Sequence, residues 1–446
     1  RFVVSTHTMA LAHQIDQWLE RGGLTAEGFG GECQRQGAEL VALPRKLMRR
    51  HARNASALAD AKRLPGLLEA ARNVEDDGAA YQRAQRLVRK TLAQDADKNA
   101  EIELETYYAL IMMDGDRMGA ILSGDETTRT AITYRDSFHP QVQKGFDVHA
   151  AKQPLIKRYG EQKRPISPNR HLAISGALND FSQTVVRHVV EEEHLGRVIY
   201  AGGDDVLAML PVADLLPCMQ RLRHAYSGTV PADENVDWGT LPKRGQLVCK
   251  SGFAFLNGRL MRMMGATATA STGAVIAHHQ APLAAVLREL RAAEKRAKAP
   301  VNEGGGGRNA FSLTVVKRSG GALYLTEHWG EPLALLGELR DFLRAEGTSR
   351  RAVYNTQAWL TDLPDPKGQP AMLESLLAYQ LARQAKGDAK APAAGLARRL
   401  AALAAAQPKD GRKWLENFLG VAEFLAREPR SVADTTARQP AQESVA

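Results

Sequence analysis

The stretch Tyr200–Leu210, "YAGGDDVLAML", decides the fold, because it sets two glycines and two adjacent aspartates between apolar runs. The flanking residues favour β structure, and the glycines permit the tight turn of a hairpin. Turn formation alone explains these residue types, since Gly and Asp are both favoured in turns. A cation site is the alternative, because two like charges side by side repel each other unless a cation lies nearby.

A second acidic motif lies upstream, in "ETYYALIMMDGDRMGAIL" (105–122). Its apolar part has the length of a strand and ends abruptly at Asp114, Gly115 and Asp116. On a continuing strand Asp116 would share a face with Asp114, whereas at a strand end it would only close the turn. The sequence leaves both interpretations of Asp116 open.

The elements around these motifs predict an α+β fold with a ferredoxin-like palm. The segment "HLAISGALNDFSQTVVRHVVEEE" (171–193) predicts a long helix with an apolar face of Ile174, Leu178, Phe181, Val185 and Val189. The hairpin follows, and then come a helix at about 215–226, a strand at 268–278, a helix at 281–298 and a strand at 309–318. This order contains the βαββαβ arrangement of a ferredoxin-like sheet, with helices expected on one face.

Four segments are expected along the chain. They are a mostly helical N-terminal region (1–103), the palm (104–320), a C-terminal domain of four or five helices (321–430) and a disordered tail (431–446). The opening residues "RFVVST" predict a short strand followed by a Ser or Thr helix cap. The chain begins with Arg1 instead of Met, so we expect the sequence to be a piece of a longer protein.

In a βαββαβ sheet the first strand lies beside the central hairpin, which brings Asp114 close to Asp204 and Asp205. Carboxylates gathered in this way favour a hard divalent cation, Mg²⁺ or Mn²⁺, which also binds substrate phosphates. Gly202 and Gly203 would let a nucleotide approach the backbone closely. Carboxylates from two sources suit the two-metal attack of a 3′-hydroxyl on an α-phosphate. Phosphoryl or nucleotidyl transfer is therefore the expected reaction class.

Charge and composition set wider limits on function. Lys and Arg outnumber Asp and Glu by 59 to 50, which permits a polyanionic partner. Basic segments at 45–53 and 157–164 suit contacts with RNA phosphates or, equally, solvated helix faces. Three scattered cysteines argue against a disulfide framework or a zinc ribbon and are typical of a cytoplasmic protein. No apolar run in the sequence has the length of a membrane span.

Four motifs in this order resemble one family: "MMDGDRMG" (112–119), "YAGGDDVLAMLPV" (200–212), "ASTGAVIAHHQAPLAAVL" (270–287) and "NAFSLTVVKRSG" (309–320). They are similar to the second palm domain of the large subunit of type III CRISPR interference complexes, in particular the Cmr branch. The resemblance covers 104 to about 320 well, and the opening residues and C-terminal helices also fit. It implies synthesis of cyclic oligoadenylates from ATP with Mg²⁺ or Mn²⁺, after target RNA binding.

The resemblance also assigns roles to individual residues. Asp114 and the carbonyl of Gly115 would bind metal with the catalytic pair Asp204 and Asp205. Nucleotide contacts would come from Gly202, Gly203, Ser271, Lys295 and Lys298. The two lysines have an alternative role as an ordinary basic helix end. His278 and His279 fit the family pattern, and a structural role is expected for them.

The implied partners are the other subunits of the complex, guide RNA and target RNA, with single-stranded DNA as a further partner. The sequence departs from full-length relatives, because it has neither the His-Asp nuclease motif nor a cysteine cluster for zinc. The family binds two ATP molecules between two palms, so a first palm is expected to come from outside this sequence. Two alternative functions stay open. One is a silent scaffold that grips RNA, and the other is a diguanylate cyclase of the GGDEF type, which Val206 disfavours because that motif has Phe there.

Overall fold

The computed structural model describes residues 3–74, 78–93, 102–125, 131–230, 242–360, 362–363 and 365–428. The predicted disordered tail at 431–446 lies outside them. Nine strands fall within the described residues: β1 (Tyr107–Gly115), β2 (Arg197–Gly202), β3 (Asp205–Pro211), β4 (Val248–Lys250), β5 (Phe253–Leu256), β6 (Arg259–Arg262), β7 (Ala270–His278), β8 (Ala310–Val316) and β9 (Ala322–His328).

The described helices surround these strands. They are α1 (Thr6–Glu20), α2 (Phe29–Arg35), α3 (Arg45–Arg50), α4 (Ala55–Arg72), α5 (Ala79–Ala93), α6 (Met118–Ser123), α7 (Pro140–Ala150), α8 (Pro154–Glu161), α9 (Pro168–Asp180), α10 (Val186–His188), α11 (Leu215–Ser227), α12 (Leu283–Lys298), α13 (Glu331–Arg344), α14 (Arg351–Leu360), α15 (Pro370–Arg383), α16 (Ala393–Ala405) and α17 (Gly411–Arg427).

The main sheet has six strands in the order β2-β3-β1-β7-β8-β9. Strand β1 is antiparallel to both β3 and β7, and β2 is antiparallel to β3. These four strands, β2, β3, β1 and β7, have the ferredoxin-like order, which confirms the predicted palm. Strand β8 is parallel to β7, and β9 adds an antiparallel edge that the sequence analysis did not predict.

The two helices of the βαββαβ unit, which are the helix that contains α10 and the helix α11, lie on one face of the sheet as expected, and α1 and α12 cover the other face. On one face Ala109 and Ile111 pack with Phe181 and Leu215, from the π-helical turn after α9 and from α11. On the other face Leu110 packs in a cluster with residues of α1 and α12. The physical reason lies in the sequence of β1, where consecutive apolar residues leave no polar face for solvent.

The helix predicted at 171–193 is present, but it is not a regular α-helix. Two five-residue π-helical turns, Phe181–Val185 and Val189–Glu193, flank the short α10. Phe181, Val185 and Val189 of the predicted apolar face are buried, whereas Ile174 and Leu178 are only half-buried. The wider π turns also bring Val186 and Val190 into the core.

The segment between α11 and β7 holds three strands that the sequence analysis did not predict. Strands β4, β5 and β6 form a separate antiparallel sheet. Its inner residues Ala254 and Met261 belong to the same core as the main sheet. This small sheet is therefore part of the palm.

The C-terminal region contains the five helices α13 to α17, which agrees with the expected bundle. It shares one core with the palm, where Phe424 of α17 contacts Tyr107 of β1 edge to face at 4.9 Å between ring centroids. The division of the chain at 320 stays a prediction. Among the described residues, no helix combines the length and the apolar character needed to cross a bilayer.

The N-terminal region is helical from α1 to α5, and Ser5 caps α1 by accepting a hydrogen bond from the Thr8 amide at 3.1 Å. The predicted short opening strand is wrong for the described residues 3–5, which belong to no strand. The basic segment at 45–53 faces acidic residues of the palm. Arg45 lies 3.4 Å from Glu192, and Arg49 pairs with the same carboxylate. These contacts favour a role within the chain.

Candidate active site

Three carboxylates converge where β1 ends beside the β2–β3 hairpin. Oxygen atoms of Asp114, Asp204 and Asp205 all lie within 4.8 Å of one another. The register explains this, because Met113 pairs with Val206, so that the next residues of β1 face the hairpin tip. The structure thus brings together the carboxylates that the topology predicted, and we call these three residues the acidic triad.

The two glycines of the hairpin turn meet different demands, and that on Gly203 is the stricter. Gly202 pairs with Asp205, so Gly203 and Asp204 occupy the two central turn positions. Gly203 has a φ of +67°, a conformation that residues with a side chain rarely adopt. A Cβ on Gly202 would lie 2.2 Å from the Tyr200 hydroxyl, but Tyr200 is 55% exposed and its ring can move aside, so Gly202 is the less demanding position. The same motif therefore forms the tight turn and presents two carboxylates to the site.

Gly115 has a structural requirement of its own. A Cβ on this residue would lie 2.8 Å from Asp204 Oδ2 and 2.5 Å from the Tyr226 hydroxyl. Backbone N–H groups of Asp204 and Gly115 donate to the Asp204 carboxylate. The absence of a side chain on Gly115 therefore lets Asp204 lie directly against the end of β1.

The electrostatics of the acidic triad favour a bound cation. Burial raises the pKa of Asp204, the charge of Asp205 adds to this shift, and the two backbone N–H groups oppose it. Burial also raises the pKa of Asp205. Ionised carboxylates in this position are unfavourable by themselves, and a divalent cation would remove the penalty. Three carboxylate oxygens at this spacing are suitable ligands for Mg²⁺ or Mn²⁺.

Lys298 supplies a positive charge from within the chain. Its ammonium contacts the Asp114 carboxylate and lies 2.5 Å from Glu294 Oε1. Burial, followed by the nearby charge of Arg308, lowers the pKa of Lys298 to about 8, so the side chain is still a cation at neutral pH. Lys295 is exposed on the same helical turn of α12. Of the two predicted lysines, the structure brings only Lys298 into contact with the triad.

The close packing of α12 on the sheet explains the position of Lys298. A Cβ on Gly273 of β7 would lie 2.3 Å from the backbone nitrogen of Glu294. Only a glycine permits this contact between strand and helix. The contact brings the last turn of α12 next to the end of β1.

Asp116 is not part of the triad, and the structure resolves its ambiguity in favour of the turn. Its carboxylate is buried and accepts hydrogen bonds from the hydroxyl groups of Thr269 and Ser271, each at 2.7 Å. It also accepts a hydrogen bond from the backbone N–H of Asn309 at 2.8 Å. Asp116 thereby ties β1 to the beginnings of β7 and β8. Residue types and spacing alone do not indicate this network.

Ser271 has no exposed surface in the structure. It pairs with Asp114 across the sheet, while its hydroxyl donates to Asp116. This arrangement indicates a positioning role, and the contact of Ser271 with a nucleotide stays a prediction. The assigned roles of Gly202, Gly203 and Lys295 toward a nucleotide likewise stay predictions.

A cavity of about 290 Å³ opens beside Asp116. Arg117 and Arg308 line it, together with Asn309 and His328. Arg117, Arg308 and Asn309 have φ values of +57°, +73° and +47°, so non-glycine residues hold left-handed conformations around the cavity. Strained backbone of this kind occurs often at ligand sites. Two guanidinium groups make the cavity suitable for an anionic ligand.

The two histidines lie at the other end of β7. His279 stacks on His7 with 3.9 Å between ring centroids, and His278 contacts Tyr107 edge to face. Burial is the main cause that lowers the pKa of His278 to about 4 and that of His279 to about 2. Both rings are therefore neutral and packed. Among the described residues, the acidic triad is the one group of three or more Asp, Glu, His or Cys side chains that lie close enough together to hold a metal ion.

A divalent cation should stabilise this protein through the acidic triad. At a Mn²⁺ concentration of 100 times its Kd, the expected gain in unfolding free energy is about 2.7 kcal/mol. The double substitution Asp204→Asn/Asp205→Asn should remove this gain. Thermal melts with Mn²⁺ and with EDTA measure the gain in the unchanged protein and its loss in the double variant. The matched control is Asp365→Asn/Asp388→Asn, which removes two exposed carboxylates elsewhere. An equal Mn²⁺ shift in both double variants would show that the triad binds no cation.

The same site predicts the pH dependence of the metal-free protein. Because the folded-state pKa values of Asp204 and Asp205 lie above 3.8, the folded state binds protons more tightly than the unfolded state. Their contribution to stability is therefore present at pH values below about 4 and is lost as pH rises through the raised pKa values of the folded state. In EDTA, we expect the Asn double variant to lose less stability than the unchanged protein over this range. Parallel curves from chemical denaturation would contradict this.

The comparisons with known proteins agree with the palm topology. The family model described as "Cas10/Cmr2, second palm domain" matches residues 107–241. The chain is 28% identical over 290 residues to the "CRISPR system Cmr subunit Cmr2" of Pyrococcus furiosus. The aligned residues make up 64% of this chain and 27% of that protein. It is 35% identical over 124 residues to the "CRISPR system CMR subunit Cmr2" of Saccharolobus solfataricus. That alignment covers 28% of this chain and 11% of the other protein.

Solved structures show the same fold. The apo state of a type III-B Cmr-beta complex contains a chain that matches with a TM-score of 0.55 and 16% identity. The same complex bound to cognate target RNA gives a TM-score of 0.51, again at 16% identity. Each match covers 87% of this chain and 44% of the other. The chain thus spans about a quarter of the first curated relative and less than half of the solved chains. Residues 107–241 therefore match the second palm domain of the Cas10/Cmr2 family, and the chain that carries them is similar to the Cmr-type large subunit.

Proposed function

We propose that this chain is the palm subunit of a type III CRISPR ribonucleoprotein and converts ATP into cyclic oligoadenylates after target RNA binds. The observation that carries the proposal is the acidic triad at the junction of β1 and the hairpin, with carboxylate oxygens within 4.8 Å of one another. The similarity to Cmr2 proteins supports the choice of complex. Other subunits of the complex, guide RNA and target RNA are the proposed partners.

Asp114, Asp204 and Asp205 would hold Mg²⁺ or Mn²⁺, and the chain's own residues would position the nucleotide. The bound cation would neutralise phosphate charge and favour ionisation of the 3′-hydroxyl. Lys298 now pairs with Asp114. With a cation on that carboxylate, its ammonium is able to contact the triphosphate instead. The bare backbone at Gly202 and Gly203 leaves room for the phosphates above the hairpin tip.

The proposed reaction is balanced without any further reactant. The 3′-oxygen of one ATP forms a bond to the α-phosphorus of another, the bond between the α-phosphorus and the bridging oxygen breaks, and pyrophosphate leaves. The proton of the 3′-hydroxyl passes to solvent. Repetition of this step and one ring closure give a cyclic oligoadenylate. The triad would serve one ATP, and a second palm from outside this sequence would hold the other.

The proposal is tested by incubating the assembled complex with ATP, Mg²⁺, guide RNA and target RNA and analysing the products by mass spectrometry. We expect cyclic oligoadenylates and pyrophosphate only when target RNA is present. Replacing ATP with GTP should give no cyclic dinucleotide, which separates this function from a diguanylate cyclase. A complex that assembles and binds target RNA but leaves ATP unchanged would instead select the scaffold function.

A further inference from the structure

The small sheet of β4, β5 and β6 has an outer face that the proposed reaction does not use. Its inward residues Cys249, Ala254 and Met261 are buried in the main core. Because side chains alternate along a strand, the neighbouring residues point to the other face of this sheet. We call this the outer face, and it consists of Val248, Lys250, Phe253, Phe255, Leu260 and Arg262.

Strand pairing arranges these side chains in two rows. Phe253 pairs with Lys250 on one side and with Arg262 on the other, so an aromatic ring lies between two cations. Phe255 pairs in the same way with Val248 and Leu260. Neighbouring strands are about 4.8 Å apart, and the two phenylalanines lie about 6.7 Å apart along β5. The outer face therefore combines two aromatic platforms with flanking positive charge.

The outer face is accessible and lies in a basic stretch of sequence. Phe253 is 38% exposed and Leu260 is 59% exposed, and Arg262 is exposed as well, whereas Val248, Lys250 and Phe255 are half-buried. Between 242 and 288 the sequence has no Asp or Glu. Arg259, at the end of β6, pairs with Asp180 at 2.5 Å and so anchors this edge to the palm. The charge of the face is complementary to a polyanion.

The sheet is also rigidly attached. The Met264 amide donates to the Tyr226 carbonyl at 3.0 Å, and the Gly252 amide donates to the Gly228 carbonyl at 2.9 Å. A Cβ on Gly228 would lie 2.5 Å from the backbone of Gly252, which shows how closely the sheet packs on the end of α11. A binding face on such a support is preorganised, and substitutions on its exposed side chains should have local effects.

We propose that the outer face binds single-stranded RNA. Unpaired bases stack on aromatic side chains, and a basic surround follows the phosphate backbone. Phe253 and Phe255 would each receive a base, while the exposed Arg262 would contact an adjoining phosphate. A duplex would fit less well, because its bases are stacked on one another already. The choice of RNA over DNA rests on the proposed function, which makes RNA the nucleic acid that this chain meets.

The test measures fluorescence anisotropy of a labelled U12 RNA with the full chain in EDTA and without ATP, so that it does not depend on catalysis. Phe253→Ala/Phe255→Ala should weaken binding at least about tenfold, because each base loses its stacking partner. Phe253→Leu/Phe255→Leu keeps apolar bulk in the sheet and should weaken binding as well. Arg262→Gln should reduce the slope of log K against log salt by about 0.7.

The matched control is Tyr379→Ala/Arg383→Gln on α15, which removes another exposed aromatic and cation pair. It should leave RNA binding within twofold of the unchanged chain. Binding that stays within twofold in both phenylalanine variants would overturn the proposal. Concentration-dependent self-association that the phenylalanine variants abolish would assign the face to a second copy of the chain instead. If the unchanged chain binds RNA but its complex makes no cyclic oligoadenylate, that result counts against the proposed function and leaves the RNA-binding face in place.

Discussion

Replacing Asp204 and Asp205 with asparagine should reduce cyclic oligoadenylate synthesis by about 10³-fold or more. A catalytic metal contributes several kcal/mol to stabilising the charge of the transition state, and each 1.4 kcal/mol corresponds to a tenfold change in rate. Asparagine keeps the size of both side chains but removes the charges that hold the cation. The hairpin itself should persist, because Gly203 still holds the left-handed position of its turn. Initial rates of pyrophosphate release from ATP measure the effect.

The matched control is Asp365→Asn/Asp388→Asn, which makes the same change of net charge at two exposed positions of the C-terminal region. It should leave the rate unchanged. RNA binding and complex assembly should be normal in both double variants. If the Asp204 and Asp205 variant keeps more than a tenth of the rate, the triad is not the catalytic centre.

Substituting Gly115 with alanine should reduce the rate by about 100-fold without unfolding the palm. The added Cβ would lie 2.8 Å from Asp204 Oδ2 and 2.9 Å from Asp204 Cβ, so the carboxylate must move away from the end of β1. A displacement of about 1 Å in a catalytic site can reduce the rate by about 10²-fold. Mn²⁺ affinity should fall in parallel, which a titration followed by thermal melting would measure.

Gly119→Ala is the control for this substitution, because Gly119 is exposed on α6 and a Cβ there would meet no heavy atom within 4 Å. It should keep the rate and the Mn²⁺ affinity of the unchanged protein. Equal activity of the two alanine variants would mean that the close approach of Gly115 and Asp204 does not matter for catalysis.

The sequence predicted the central part of the fold because its signals are local. The apolar run of β1 and the turn residues of the hairpin identify three strands, and the βαββαβ order then places Asp114 beside Asp204 and Asp205. Strands β4 to β6 were not predicted, since each has only three or four residues and too few side chains to show a period. The π-helical turns after α9 were missed for a similar reason, because they interrupt a continuous helical pattern without a local marker.

The parts of the site that the sequence did not reveal depend on contacts between distant residues. Asp116 and Ser271 are 155 positions apart, and their hydrogen bond exists only because β1 and β7 pair. The contact of Lys298 with Asp114 depends on how α12 rests on the sheet, which Gly273 determines by its lack of a side chain. Residue types alone therefore indicated the acidic residues of the site, while the fold was needed to show what surrounds them.

Anomalous diffraction from crystals soaked with Mn²⁺ and a non-hydrolysable ATP analogue tests the central claim most directly. The account predicts a peak within about 2.2 Å of carboxylate oxygens from Asp114, Asp204 and Asp205, a distance typical of small divalent cations. It also predicts that the Lys298 ammonium leaves Asp114 and contacts the triphosphate. Bound nucleotide with no anomalous peak at the triad, and with Lys298 still paired to Asp114, would contradict it.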